Sequence, residues 1–207
     1  MLAPIDRGTG HPLHDLATTM AATLGHRGPD ASAIWVDLSK RIALGHTRLA
    51  IVDLSDAGAQ PMTSTDGRWT ITYNGEVYNT DDLRRSLGSA AWRGHSDTEV
   101  LVEHIARHGV EATLKATKGM FAFGCWDAHE SELWLARDRF GEKPLYYGFH
   151  QGALLFASEL KALRAVSGFD PDIDRLALAE YFRWTNVPAP MTIYEGVKAR
   201  WSNGSTR

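Results

Sequence analysis

The chain has 207 residues, 43% hydrophobic and 23% charged, the balance of a folded soluble protein with enough length for one good-sized core. Twenty-two Lys and Arg against 25 Asp and Glu give a formal net charge of −3, with no polyelectrolyte footprint for nucleic acid or an anionic membrane. No apolar run approaches the roughly 20 residues of a membrane helix, and the start lacks a signal-peptide stretch, so a cytoplasmic location is expected. The single cysteine, Cys125, excludes an internal disulfide and a Cys-rich zinc site.

Residues 11–24 predict a helix, with Leu13, Leu16, Ala17, Met20, Ala21 and Leu24 along one side. The Gly and Pro of residues 25–30 stop it. Short β-type runs follow at 33–36, 42–44, 49–52 and 69–73, the last alternating Trp69, Ile71 and Tyr73 with Thr70 and Thr72. Thr80 can cap a helix over 81–87. Ser96 to Glu99 form a capping-box pattern that opens a helix with Val100, Leu101, His104, Ile105 and His108 in one stripe. Strand signals return at 120–126, 132–136, 145–149 and 153–157, and helices are expected at 159–165 and 174–183. Grouped helices and hairpin-length connections argue for an α+β fold with mainly antiparallel sheet. From Asn186 the chain reads as a linker, Val187-Pro188-Ala189-Pro190, and then as a polar tail. The expected organisation is one domain over 1–185 and a linker with divergent tail over 186–207.

Several residues admit two readings. Asn74-Gly75 suits a turn, since both residues tolerate positive φ, and equally suits a pair of oxyanion donors. Arg48 is either a solvated strand-edge cation or a fork for a carboxylate. Asp97 is favoured by the helix dipole at its position and could also hold a substrate ammonium. His104 and His108 stand i, i+4 on one face, but no third ligand accompanies them, so no metal is expected. Arg137, Arg139 and Lys143 alternate with Asp138 and Glu142, the pattern of an internally paired loop. Cys125 lies in an apolar run and reads as packing.

The motifs LGHRGPD (24–30), GHTRLAIVD (45–53), GAQPM (58–62), YNGEVYN (73–79), SDTE (96–99), GMFAF (119–123), RDRFGEKPLYY (137–147) and FASELKAL (156–163) occur together in this order. The set resembles the N-terminal glutaminase domain of glutamine-hydrolysing asparagine synthetases, a class II glutamine amidotransferase, over about residues 5–198. The resemblance implies the four-layer αββα sandwich of N-terminal-nucleophile hydrolases, two mainly antiparallel sheets between helices. It assigns Arg48 and the backbone near Ile51 and Val52 to the glutamine carboxylate, Glu76 and Asp97 to the α-amino end, and Asn74 and Gly75 to the oxyanion hole. It implies L-glutamine as substrate and a synthetase domain or subunit as partner, and it allows a homodimer. ATP and magnesium are expected only for that synthetase domain, and no cofactor for this chain.

In the family an N-terminal cysteine attacks the glutamine amide and its own α-amine acts as base, which suits an amine titrating near ~8. This chain begins Met1-Leu2-Ala3-Pro4, about three residues short of the pattern, with no cysteine at position 2. The Ser-Gly-Gly-x-Asp-Ser pyrophosphate loop of the synthetase domain is absent. The expectation is therefore a truncated glutaminase, inactive as it stands. The alternative is a non-catalytic module that binds glutamine or a separate synthetase subunit. A third reading is a metal-dependent hydrolase built on the histidines.

Overall fold

The computed structural model describes residues 11–50, 55–88 and 92–200. Helix α1 (His11–Ala22) buries Leu13, Ala17, Met20 and Ala21, the side that the sequence pattern marks as apolar. Strands β1 (Ala31–Asp37) and β2 (Ile42–Arg48) pair antiparallel along their full length. The strand signal at 49–52 does not prolong this ribbon. Leu49 and Ala50 lie outside β2, the Ala50 N–H donates instead to Asp30 Oδ2 at 2.8 Å, and Ile51 and Val52 fall outside the described residues.

A four-stranded antiparallel sheet runs in the order β3 (Met62–Thr63), β4 (Trp69–Val77), β5 (Gly119–Asp127), β6 (Glu132–Arg137). A three-stranded sheet places β7 (Tyr146–His150) between β8 (Ala153–Ala157) and β9 (Val197–Ala199). Helices α2 (Thr80–Leu87), α3 (Asp97–His108) and α4 (Val110–Ala116) precede β5, and α5 (Leu160–Arg164) and α6 (Arg175–Trp184) follow β8.

Alternation along β5 sorts the layers. Phe121, Phe123 and Cys125 join Val100, Leu101 and Ile105 of α3 in one core, while Ala122 and Trp126 face Ile42, Leu44 and Phe156 in another. Beyond those strands, Met20 and Ala21 of α1 pack with Leu155 of β8 and Ala162 and Leu163 of α5. The order is helix, sheet, sheet, helix, the expected αββα sandwich. Among the described residues the second sheet layer consists of two hydrogen-bonded pieces, β1–β2 and β8–β7–β9, in place of one continuous sheet. Fully buried Phe123, Ile71, Leu101 and Ile105 each contribute about 1.5–3 kcal/mol of apolar burial. The sheets approach closely at Gly124, where a Cβ would stand 2.5 Å from the Phe156 ring.

Three local expectations change. Thr80 is the first residue of α2 and its hydroxyl donates to Val77 O; Asn79 holds the cap position, and its side chain ties Ala116 O and the Lys118 N–H instead. At α3 only half of the capping box forms. Ser96 Oγ accepts the Glu99 N–H at 3.2 Å, but the Glu99 carboxylate turns to the N–H groups of Arg93 and Gly94. The segment after Asn186 is not a free linker throughout: Thr192 is buried, and Val197 and Ala199 are buried in β9, paired to Gly148 and Tyr146. Alternating apolar residues there were too few to read as a strand.

Candidate functional site

Strand β4 carries Tyr73, Asn74, Gly75 and Glu76 in succession, so Asn74-Gly75 is not a turn but the middle of a paired strand, opposite Ala122 and Phe121. Glycine is required at position 75 by close strand approach, since a Cβ there would lie 2.3 Å from Met120 O. Alternation turns Asn74 toward the space between the sheets with Thr72, and Tyr73 toward α3.

The space beside Asn74 is a cavity of about 100 Å³, lined with polar groups from Arg27, His46, Thr47, Thr72 and Ser158 and walled by Leu24, Leu145 and Phe156. The Asn74 Nδ2 is buried and donates to no described group. A buried donor without an acceptor is costly in a folded protein unless a ligand supplies one. Thr72 beside it is satisfied, donating to Gly45 O at 3.1 Å, with His46 Nδ1 at 3.5 Å. Burial, and then the nearby Arg48 charge, push the His46 imidazole down to about 4, so it is neutral near pH 7. At the cavity edge Arg27 and His26 both hold Glu159 Oε1, at 3.1 and 2.9 Å.

Asp97 opens α3 against the opposite side of β4. Its Oδ2 accepts the Tyr73 phenol at 2.7 Å and the Val77 N–H at 3.1 Å. Burial and then the Asp97 charge raise the Tyr73 pKa far above its ordinary value, so the phenol remains a donor. Gln60 adds a second tie between the same elements: its Oε1 accepts the Tyr73 N–H at 2.7 Å and its Nε2 donates to Thr98 Oγ1 at 3.1 Å. Glu76 is exposed on β4. Arg48 ends β2 and donates to Ser55 O at 3.0 Å. Gly75 and Glu76 follow Asn74 on β4, Asp97 lies on the α3 side of that strand and Arg48 ends β2; of these residues Asn74 alone lines the cavity, and Ile51 and Val52 lie outside the described residues.

His46, Gln60 and Tyr73 were not singled out by sequence reasoning. Each sat inside a quoted motif, but nothing in residue spacing shows which polar group meets which. The other candidates resolve as architecture. His104 is buried, its Nδ1 2.8 Å from Thr113 Oγ1, and its pKa is lowered by burial and then by His108. No group of three or more metal-ligating side chains occurs among the described residues. Arg137 donates to carbonyls of Gly141, Lys143 and Arg200, closing the basic loop on itself. Burial pushes the Cys125 thiol up, with Asp127 adding to the effect, so it is no nucleophile. No described helix is long and apolar enough to cross a membrane.

Residues 6–205 match the model of the glutamine amidotransferase domain. Asparagine synthetase [glutamine-hydrolyzing] 3 of Bacillus subtilis is 41% identical over 187 residues, covering 86% of this chain and 29% of the relative. Amidase chry2 of Gibberella zeae is 34% identical over 171 residues, 82% of this chain and 25% of that protein. The chain therefore spans less than a third of the length of these relatives. Among solved structures, glutamine phosphoribosylpyrophosphate amidotransferase from B. subtilis aligns with a TM-score of 0.62 at 24% identity, covering 74% of this chain and 41% of that one, a likeness of fold. A family match across nearly the whole sequence and relatives of this similarity place the chain in the glutamine amidotransferase domain family, homologous to the glutaminase domains of asparagine synthetases.

Proposed function

We propose that the chain binds L-glutamine along β4, as the glutaminase module of a synthetase that uses ATP to amidate aspartate. The observation that carries this reading is the buried Asn74 Nδ2, which has no described acceptor and lines the inter-sheet cavity. In this reading Asn74 Nδ2 and the Gly75 N–H meet the amide oxygen where negative charge develops during acyl transfer. Arg48, with the backbone at Ile51 and Val52, takes the α-carboxylate, and Glu76 and Asp97 take the α-amino end. Hydrolysis would release glutamate and pass ammonia to the synthetase unit, to which ATP and magnesium belong.

The exposed side of α6 supports a partner of that kind. Only Ala177 of this helix is buried, while Leu176, Tyr181, Phe182 and Trp184 are exposed. Four large apolar side chains exposed on one ten-residue helix offer apolar surface to such a partner.

A second reading, a module that binds glutamine without hydrolysing it, is favoured by the cysteine content. The sole cysteine is Cys125, buried in β5. The 207-residue chain is accordingly expected to release no glutamate from glutamine, and measurable turnover would decide for the catalytic reading. Binding is tested by isothermal titration. Arg48→Ala is expected to weaken glutamine by roughly tenfold or more, the loss of a charge-assisted contact. Equal affinities would remove Arg48 from the site.

A further inference from the structure

Asp97 and Glu99 lie two residues apart in the first turn of α3, but they are engaged differently. Glu99 is 1% exposed and uses both oxygens within the protein: Oε1 accepts the Arg93 N–H at 2.7 Å and Arg93 Nε at 3.2 Å, and Oε2 accepts the Gly94 N–H at 3.0 Å. Asp97 receives both of its donors on one oxygen, Oδ2, from the Tyr73 phenol and the Val77 N–H. Among the described residues no hydrogen bond reaches Oδ1 and no cation pairs with the carboxylate. Two donors converging on Oδ2 fix the rotation of the carboxylate about its Cβ–Cγ bond. Oδ1 is then the oxygen with lone pairs to offer.

We infer that Tyr73 is a positioning residue for α-amino recognition: by holding Asp97 Oδ2 it presents Oδ1 to the ammonium group of an α-amino acid amide, and so discriminates glutamine from amides that lack that group. The inference rests on the glutamine site proposed above and assigns it a selectivity device. An ammonium meeting one preoriented carboxylate oxygen loses less on binding than one meeting a freely rotating group. The phenol also suits the task chemically, since at accessible pH it can only remain protonated and so always donates.

Tyr73→Phe tests this without emptying the core, because the ring, 4% exposed among Val77, Leu101 and Phe123, is retained. Gln60 still ties the strand backbone to Thr98 in this variant. The parent, Tyr73→Phe and Asp97→Asn proteins are titrated calorimetrically with L-glutamine and with 4-carbamoylbutanoate, which is glutamine without its α-amino group. Tyr73→Phe is expected to weaken glutamine by about fivefold to tenfold while the analogue changes by less than about twofold. Equal weakening of both ligands would show that Tyr73 only supports the packing, and no change in either would show that Asp97 needs no orienting; both results overturn the inference. Asp97→Asn reports on the underlying site. If it leaves the preference for glutamine over the analogue intact, Asp97 does not meet the amino group, and the reading of the site fails with the inference. A preference lost in Asp97→Asn but kept in Tyr73→Phe defeats the inference alone. A parent chain that binds neither ligand removes the site itself.

Discussion

The loop after β6 and the stretch of β4 against α3 both gather polar groups away from solvent, and they treat them in opposite ways. In the loop, Asp138 accepts N–H groups from Phe140 and Glu142 on Oδ1, each at 3.0 Å, and from Lys143 and Phe121 on Oδ2, at 3.1 and 3.2 Å. At the end of β5, Asp127 likewise takes the Arg68 fork at 2.9 and 2.6 Å, with N–H groups from His129 and Glu130. Along β4, by contrast, Asp97 uses one oxygen only and Asn74 Nδ2 meets no described acceptor. A carboxylate saturated by its own backbone has nothing left for a ligand and serves the fold. Polar groups with unused capacity cost stability in the free protein, and they are retained where a ligand completes them.

The largest expected effect would come from breaking the saturated side. Asp138→Ala strands four backbone N–H groups around a carboxylate that is 1% exposed. It should lower the unfolding free energy by about 3 kcal/mol or more, read from urea denaturation. A loss below about 1 kcal/mol would mean that the loop does not depend on its acid, and the contrast with Asp97 would collapse.

A titration separates the same two regions by pH. His46, at the cavity, stands near 4 in the folded chain against 6.5 ordinarily, through burial and then Arg48. Between those values the unfolded chain binds a proton that the folded chain does not, so stability falls as pH drops from 6.5 toward 4. The total is about 3 kcal/mol. Burial would raise Asp138 and Asp127, but their N–H donors, and for Asp127 the Arg68 side chain, outweigh it and hold both below the usual carboxylate range. Their contribution is present above the unfolded value and is lost as pH falls through the lower folded values, beneath about 4. His46→Asn should make the upper limb shallower, with the remaining slope belonging to buried His104, and leave the lower limb in place. An unchanged upper limb would show that the cavity imidazole titrates alike in the folded and unfolded chains.

How far the sequence revealed this arrangement depended on the range of each contact. The alternation of Trp69, Ile71 and Tyr73 predicts β4 because burial of one strand face is a local, period-2 property, and α1 and α3 follow from their stripes in the same way. Asn74-Gly75 misled at that level. Turn propensity is also local, but the glycine answers to Met120 O of a strand 45 residues later, which no window around position 75 contains. The return of β9 to β7 was hidden likewise, because a three-residue strand carries too little pattern. For the site, motif resemblance pointed to Asn74 and Asp97. It could not show that Tyr73 holds Asp97 or that Gln60 bridges to Thr98, since these are through-space pairings between elements.

The smallest expected effect is also the most direct probe of the open side. Thr72 and Asn74 are two residues apart on β4 and line the same cavity, but Thr72 donates to Gly45 O while Asn74 Nδ2 donates to nothing described. Substituting each by an apolar residue of similar shape should therefore give opposite signs. Thr72→Val removes a satisfied bond, a cost of about 1 kcal/mol. Asn74→Leu removes an unsatisfied donor from a buried place and should be neutral or stabilising by up to about 1 kcal/mol, as substitutions at functional polar groups often are. Paired urea unfolding curves read both values. If Asn74→Leu costs as much as Thr72→Val, the Asn74 amide is already engaged within the fold, and the buried donor no longer argues for a ligand there.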